Sequence, residues 1–387
     1  MSVNPAGGPI RIHQIHMLPT TYSNYFYRVL YENPEIDLRV YHLFRESCRH
    51  PRNSTLAMDY HNTYMNLILG IDWSLLKTAW YDTESFFIVG DWAYLPTVAV
   101  ILARWVRGAP VGVWADTPQE DICRPPLKKW LRSKYLRWLL PKLDIVFGTG
   151  KKALRLLRGM GARQERLVDL PYIVDLDRPR QASQEPEIKA NAQQFRNLVG
   201  CASKGIVFSM LGNFIPRKGV DIGLQAFARC LRQVQKPLGL LIAGEGPERQ
   251  KLQLLADKLD LGNSVAFLGW QEPEGVEAVY LGSDVVLHPA RSDPFPVVIL
   301  DAMNWSKLVI GSDVCGNVED RIVHGVNGFS FPSEDVEELS RIMLHLVNQS
   351  ENIRKIGRRA RQTAEEWPAQ RGVNIVLETA KNLLSAR

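Results

Sequence analysis

The sequence predicts an α/β protein built from two Rossmann-like domains, each a parallel sheet flanked by helices. Three observations carry this. At 387 residues the chain exceeds what one ordinary hydrophobic core serves, so two domains are the natural division. Along both halves, short apolar runs alternate with helix-length amphipathic stretches, the pattern of parallel strands joined by helical crossovers. Between the two series lies PRQASQEPEIKANAQQ (179–194), polar and poor in large apolar side chains, which reads as a linker. The expected division is a first domain over 1–178, a linker over 179–200, a second domain over 201–365 and a tail over 366–387. Two sheets facing each other across a linker leave a cleft, the natural place for a ligand.

In the first half, Arg11–His16 reads as a strand, Asn24–Tyr31 as a helix, and Asp37–Leu43 and Ser85–Val89 as further strands. Leu95–Val106 is a helix with proline near its start, where proline costs least. Val111–Trp114 and Asp144–Phe147 complete the strand series. Ligands of such sheets bind beyond the carboxyl ends of the strands, which points to the loops Met17–Ser23, Gly90–Ala93 and Ala115–Asp121. In the second half the strands are Lys204–Leu211, Gly239–Ala243, Val265–Leu268, Val285–His288 and Leu308–Gly311, with helices at Gly219–Leu231 and Glu248–Leu259 between them.

The net charge of +6 is unevenly shared. Residues 1–180 hold 24 Lys and Arg against 17 Asp and Glu, whereas the remainder holds 23 against 24. The basic excess belongs to the first half and suits an anionic surface or acceptor there. Its densest part is LKKWLRSKYLRWLLPKL (127–143), with Lys128, Lys129, Arg132, Lys134, Arg137 and Lys142 and no acid, while Leu127, Leu131, Tyr135, Trp138 and Leu139 recur at helical spacing. Basic residues beside interfacial aromatics are how a helix lies on anionic lipid, and a domain helix with a solvated basic face is the alternative. No DNA- or RNA-binding signature is present, so a nucleic-acid partner is not expected. The longest nearly uncharged apolar run, Tyr94–Leu102, is well short of the roughly 20 residues of a membrane span. The expected location is the cytoplasm, with peripheral contact at the inner membrane face. Five scattered cysteines (Cys48, Cys123, Cys201, Cys230, Cys315) form no CxxC pair and read as reduced thiols.

The stretch with most chemistry is SDPFPVVILDAM (292–303). Asp293 precedes a bend made by Pro294 and Pro296. Pro296 then starts a helix that carries Asp301 inside it. A helix start offers free N–H groups and a positive dipole end, a ready anion site. Two acids beside it suit a sugar nucleotide, whose diphosphate would sit at the helix start while the acids hold hydroxyls.

Five ordered stretches of the second half resemble the retaining glycosyltransferases of the two-domain GT-B fold. They are FIPRKGVDIGLQAF (214–227), LLIAGEGPERQKL (240–252), VAFLGW (265–270), SDVVLHPARSDPFPVVILDAM (283–303) and LVIGSDVCGNVEDRIVHGVNGFSFP (308–332). In the first half DWAYLPTVAVILARWVRGAPVGVWADTP (91–118) and DIVFGTGKKALRLL (144–157) resemble the family's acceptor domain. The resemblance implies that the tail beyond Trp367 is a helix returning to pack on the first domain. It also implies that Lys218 meets the donor diphosphate, that Asp301 holds the ribose hydroxyls and that Asp293 lies beside the donor sugar. Gly244, Glu245, Gly246, Phe267, Leu268 and Gly269 would line the nucleotide through their backbone, with Phe295, Pro296 and Val297 at the phosphate end. The chain departs from the pattern in places. Both acids are aspartates where glutamate is usual, Asn213 takes the place of an arginine, with Arg217 near enough in sequence to replace it, and Pro296 removes one N–H. Around Trp114–Asp116 the family's acceptor-facing histidine is replaced, and Asp116 becomes the candidate for orienting or deprotonating the acceptor hydroxyl.

The implied activity is metal-independent transfer, with retention, of a hexose-type sugar from a nucleoside diphosphate sugar, UDP- or GDP-linked. The acceptor would be a saccharide or lipid-linked saccharide of cell-surface polysaccharide or glycolipid synthesis. No Asp-x-Asp motif calls for a metal, and no further cofactor is implied. The alternative is a catalytically silent relative serving as a scaffold in a polysaccharide assembly complex.

Overall fold

A computed structural model describes residues 8–45, 58–115, 125–202 and 204–386. The chain forms two compact units, one made of 1–173 with 368–387 and the other of 174–367.

The first unit runs β1 (Ile10–His16), α1 (Thr21–Tyr31), β2 (Ile36–His42), β3 (Asn62–Tyr64), α2 (Trp73–Tyr81), β4 (Phe86–Val89), α3 (Leu95–Val106), β5 (Val111–Ala115), α4 (Pro126–Leu139), β6 (Ile145–Gly148), α5 (Gly150–Gly159) and β7 (Leu167–Asp169). Its seven strands are parallel in the order β3-β2-β1-β4-β5-β6-β7. Strands such as β4 (FFIV) and β5 (VGVWA) are buried throughout, because helices cover both faces of a parallel sheet and leave no face for polar alternation.

One buried charge fastens this unit. Arg104 of α3 is fully buried, and its guanidinium donates to the carbonyls of Ala79, Asp82, Ser85 and Pro110 while lying 4.6 Å from the Phe87 ring centre. It thus joins α2, the turn into β4, and the turn into β5.

The second unit runs α6 (Arg178–Ala182), α7 (Pro186–Leu198), β8 (Ile206–Leu211), α8 (Val220–Leu231), β9 (Leu238–Ala243), α9 (Arg249–Lys258), β10 (Val265–Gly269), α10 (Pro273–Gly282), β11 (Val285–His288), α11 (Val297–Asn304), β12 (Leu308–Ser312), α12 (Val318–Arg321), β13 (Phe329–Phe331), α13 (Val336–Asn348) and α14 (Glu351–Glu365). Its six strands are parallel in the order β10-β9-β8-β11-β12-β13. The chain then returns to the first unit as α15 (Ala369–Ser385), where Gly372 lies against Phe26 of α1.

The stretch expected to be a linker is corrected here. Residues 179–200 are mostly the helices α6 and α7 and belong to the second unit. Ile188 and Ala192 of α7 are buried with Ala278 of α10, an i, i+4 apolar stripe that the surrounding polar residues obscure. Arg178 forms a bidentate pair with Glu277 of α10 at 2.5 and 2.6 Å and reaches Glu185 at 2.8 Å. Asn304 and Arg361 hold the carbonyls of Asp175 and Leu176. The border of the second unit accordingly falls at 174, ahead of the expected 201.

Candidate functional site

In the second unit the strand order reverses between β8 and β11, so the loops leaving these neighbouring strands diverge and open a crevice at their carboxyl ends. The loop after β8 carries Asn213, Arg217 and Lys218, and the loop after β11 carries Asp293. The structure brings the two together. Lys218 Nζ lies 2.5 Å from Asp293 Oδ2, His288 Nε2 lies 2.9 Å from the same oxygen, and Arg217 Nη1 is 3.6 Å from Oδ1.

Asp293 is buried, which works against its charge. The hydrogen bond from His288 and the charge of Lys218 outweigh that and hold its carboxyl well below the usual carboxylate range. Burial pulls His288 below its ordinary value, so the ring is neutral, and an acceptor-only carboxylate beside Nε2 fixes the proton on that nitrogen. His288 is therefore a satisfied strand-end histidine serving Asp293. Both oxygens of Asp293 face cations or a donor of the protein itself.

The backbone around this pair is closely interlocked. Arg217 donates to the carbonyl of Ser292 at 3.0 Å, and Arg291 N donates to the carbonyl of Arg217 at 2.8 Å. Arg291 also pairs with Asp221 of α8 at 2.7 and 2.8 Å. Gly219 adopts φ +65°, and a Cβ built there would stand 1.9 Å from the carbonyl oxygen of Pro289. Only glycine lets the Lys218 loop approach the β11 loop this closely. Gly219→Ala is expected to push the loops apart, weaken nucleotide binding at least about tenfold and lower the melting point of the second unit. Titration and thermal unfolding check this, and a variant binding like the native protein contradicts the positioning role.

The other expected loops gather at the same strand ends. Gly244 sits at φ +145° with its N–H donating to Gly269 at 2.8 Å, and Phe214 N donates to Glu245 at 2.8 Å. A Cβ on Gly246 would meet the carbonyl oxygen of Phe214 at 2.5 Å. Phe267 stands edge-on to Phe214 at 6.1 Å between centres, and Leu268 packs among buried side chains of the sheet. The Glu245 side chain pairs with Arg249. The Asn213 side chain makes no hydrogen bond among the described residues.

Buried Phe295 and the Pro296 cap lead into α11, and the first two N–H groups of that helix, on Val297 and Val298, have no acceptor among the described residues. Asn317 Nδ2 supports this turn from below through the Pro296 carbonyl at 2.8 Å, and Gly316 N donates to Asp293 O at 3.0 Å. Sequence reasoning passed over Asn317; its signal was the CGN triplet inside the last matching stretch. Asp301, in the second turn of α11, makes no side-chain hydrogen bond or ion pair among the described residues. Burial pushes its carboxyl up to about 7, and the Glu277 carboxylate adds to the shift. Asp116 lies outside the described residues.

Residues 192–363 match the family model described as glycosyl transferases group 1. The chain is 28% identical over 223 residues to D-inositol 3-phosphate glycosyltransferase of Nocardia farcinica, covering 56% of this chain and 47% of that one. It is 29% identical over 178 residues to N-acetyl-alpha-D-glucosaminyl L-malate synthase of Bacillus anthracis, covering 46% and 45%. The chain therefore spans about half the length of the curated relatives it matches. HepE of Anabaena, solved in complex with UDP, superposes with a TM-score of 0.75 at 17% identity over 97% of this chain and 100% of that one. A glycosyltransferase from Rickettsia africae superposes with a TM-score of 0.76 at 16% identity over 97% and 99%. At these identities the two structures speak for the fold.

Proposed function

From the match of residues 192–363 to the glycosyl transferases group 1 model, in a chain of the GT-B fold, we propose that the protein transfers a hexose-type sugar from a nucleoside diphosphate sugar to a saccharide or lipid-linked saccharide, with retention. The observation that carries this is the Lys218 ammonium, seated against Asp293 at the β8/β11 switch point in the same loop pair that leads to the Val297 and Val298 N–H groups, which have no acceptor among the described residues. An ammonium and free helix-start N–H groups suit a diphosphate, and they matter most when that diphosphate gains charge as a leaving group.

In this reading the sugar's anomeric carbon parts from the diphosphate oxygen while the acceptor hydroxyl attacks the same face, its proton passing to the departing phosphate. Lys218 and the α11 N–H groups stabilise the developing charge. Asp293, with His288 behind it, positions the ammonium. Arg217 supplies the second positive charge that Asn213 lacks. Asp301, which has no side-chain hydrogen bond or ion pair among the described residues, accepts the nucleotide's ribose hydroxyls. Asp116 is assigned to the acceptor hydroxyl, and the stretch 127–143, most of which is helix α4, to contact with an anionic membrane surface.

The test is thermal unfolding with UDP, GDP, ADP, dTDP and CMP in turn. HepE of Anabaena is solved with UDP and with UDP-glucose, so UDP is the first to try. A nucleotide at about one hundred times its Kd stabilises by roughly 2.7 kcal/mol. One responding base supports the reading, and no response to any of them favours the silent scaffold.

The position of Asp301 adds a pH prediction. Ribose hydroxyls donate to a carboxylate and so favour its charged form, which the free protein reaches only above about 7. Nucleotide affinity should therefore rise with pH by up to about tenfold per unit below that value and level off above it. Asp301→Asn should bind weakly at every pH and lose the slope. A native affinity flat across this range would contradict the role.

A further inference from the structure

Five helices of the first unit, α1 to α5, contain no acid, and three of them expose aromatic side chains beside cations. These three are α2 (WSLLKTAWY), α3 (LPTVAVILARWV) and α4 (PLKKWLRSKYLRWL). Between α2 and α3 runs an open groove of about 600 Å³, walled by Trp73, Leu76, Trp80, Tyr81, Leu102 and Val106, with Lys77 its one charged lining residue. Trp73, Tyr81 and Val106 are each more than half exposed. An apolar patch of this kind on a protein surface marks an interaction site.

Helix α3, which forms one wall of the groove, is linked to α4. Lys142, just beyond α4, lies with its Nζ 4.8 Å from the Trp105 ring centre and 4.6 Å from that of Trp138, so it joins α3 to α4. Arg107 lies 5.5 Å over Trp80, and Lys134 Nζ lies 5.8 Å from Trp130. Four exposed tryptophans thus each carry a cation beside their ring. A fifth, Trp73, stands in the groove wall that holds Lys77.

We propose that the α2–α3 groove and the outer face of α4 form one membrane-docking surface for a bilayer containing anionic lipid, the tryptophans entering the headgroup boundary and the cations meeting the phosphates. Tryptophan has its preferred depth at that boundary, and long basic side chains lay their stems along apolar surface while their heads reach the phosphates. A second copy of this chain is a poor occupant, because apposing the face to itself brings Lys77, Arg107, Lys134 and Lys142 against their own kind. An uncharged apolar partner would leave the same cations unmatched. The inference enlarges the α4 contact of the reading above to a face of three helices, and vesicle binding is independent of nucleotide response, so the two fail separately.

The experiment is co-sedimentation of the full chain with vesicles of phosphatidylglycerol and phosphatidylcholine, and with phosphatidylcholine alone, alongside tryptophan fluorescence with lipids brominated on their acyl chains. The native protein should bind the anionic vesicles, bind the neutral ones far more weakly, and be quenched by bromine. Each cation near an anionic surface contributes about fivefold, so Lys77→Gln/Arg107→Gln/Lys142→Gln should bind about a hundredfold more weakly. Trp73→Ser/Trp105→Ser should lose most of the quenching, its fold checked by a native far-ultraviolet circular dichroism spectrum and a cooperative thermal transition. No binding to anionic vesicles, binding without quenching, or both variants binding and quenching like the native protein would each overturn the proposal. Capture of a protein partner by this face with no vesicle binding would overturn it as well.

Discussion

Lys218→Met is expected to cut kcat by about a hundredfold to a thousandfold, the usual cost of removing one preorganised charge from a developing anion and equivalent to roughly 2.7–4 kcal/mol. Methionine keeps the length and volume of the side chain, so the loss falls on charge. The fold should tolerate the change, because Asp293 keeps its hydrogen bond from His288 and stays near Arg217. The signature is in how the effect divides. An interaction made mainly with the leaving diphosphate lowers kcat and kcat/KM together, whereas plain ground-state binding raises KM alone. Asp293→Asn should resemble a weaker Lys218 variant, since the carboxylate acts by seating the ammonium. Steady-state transfer assays with the responding nucleotide sugar check both. A Lys218→Met enzyme with native kcat would remove the ammonium from the mechanism.

Arg104→Met is expected to lower the melting temperature of the first unit by roughly 10 °C. The guanidinium is fully buried and its partners are backbone carbonyls on three different segments, Ala79 and Asp82, Ser85, and Pro110. Methionine replaces much of the volume but leaves the Ala79 and Ser85 carbonyls without this donor, while those of Asp82 and Pro110 keep Ser85 Oγ and Phe87 N. Each buried group left unpaired costs about 1–3 kcal/mol, so a total of about 3–5 kcal/mol is expected. At about 2–4 °C per kcal/mol for a unit of this size, the shift is easily measured. Arg104→Lys should recover little, because one ammonium does not span carbonyls that a planar fork reaches in several directions. Thermal unfolding followed by circular dichroism checks the pair. A methionine variant melting within a degree or two of the native protein would show that packing against Phe87, and not the carbonyl fan, is what Arg104 supplies.

Much of the strand framework was readable in the sequence because a strand buried on both faces is a continuous apolar run. IVFSML, LGLLIA and VVLH stand out against polar surroundings, and β11 and α3 begin and end where the sequence places them. The edge strands β3, β7 and β13 are three residues each, too short to make a pattern. Helix α7 was hidden by composition, since few of its thirteen residues are large and apolar and Ile188 and Ala192 suffice to dock it. The helices α13 and α14 pack apolar stripes on the second core but lie beyond the last recognisable stretch, which ends at Pro332.

The site was legible as a set of local motifs and illegible as an arrangement. Lys218 and Asp293 are 75 residues apart, and their 2.5 Å contact exists only because β8 and β11 are neighbours at the strand reversal. No local pattern encodes that neighbour relation, so the pairing of Asp293 with Lys218 and His288 could not be read from the sequence. The buried role of Arg104 is illegible in the sequence for the same reason. In LARWVRG it looks like one more surface cation, and its burial depends on a turn twenty residues earlier.

The most direct test of the account is calorimetric titration of the responding nucleoside diphosphate, and of its monophosphate, into the native protein and into Lys218→Met. If Lys218 meets the diphosphate, the native protein should bind the diphosphate at least about tenfold more tightly than the monophosphate, and Lys218→Met should bind the two nearly alike. A Lys218→Met protein that keeps the full preference for the diphosphate, or a native protein with no such preference, would contradict the assignment.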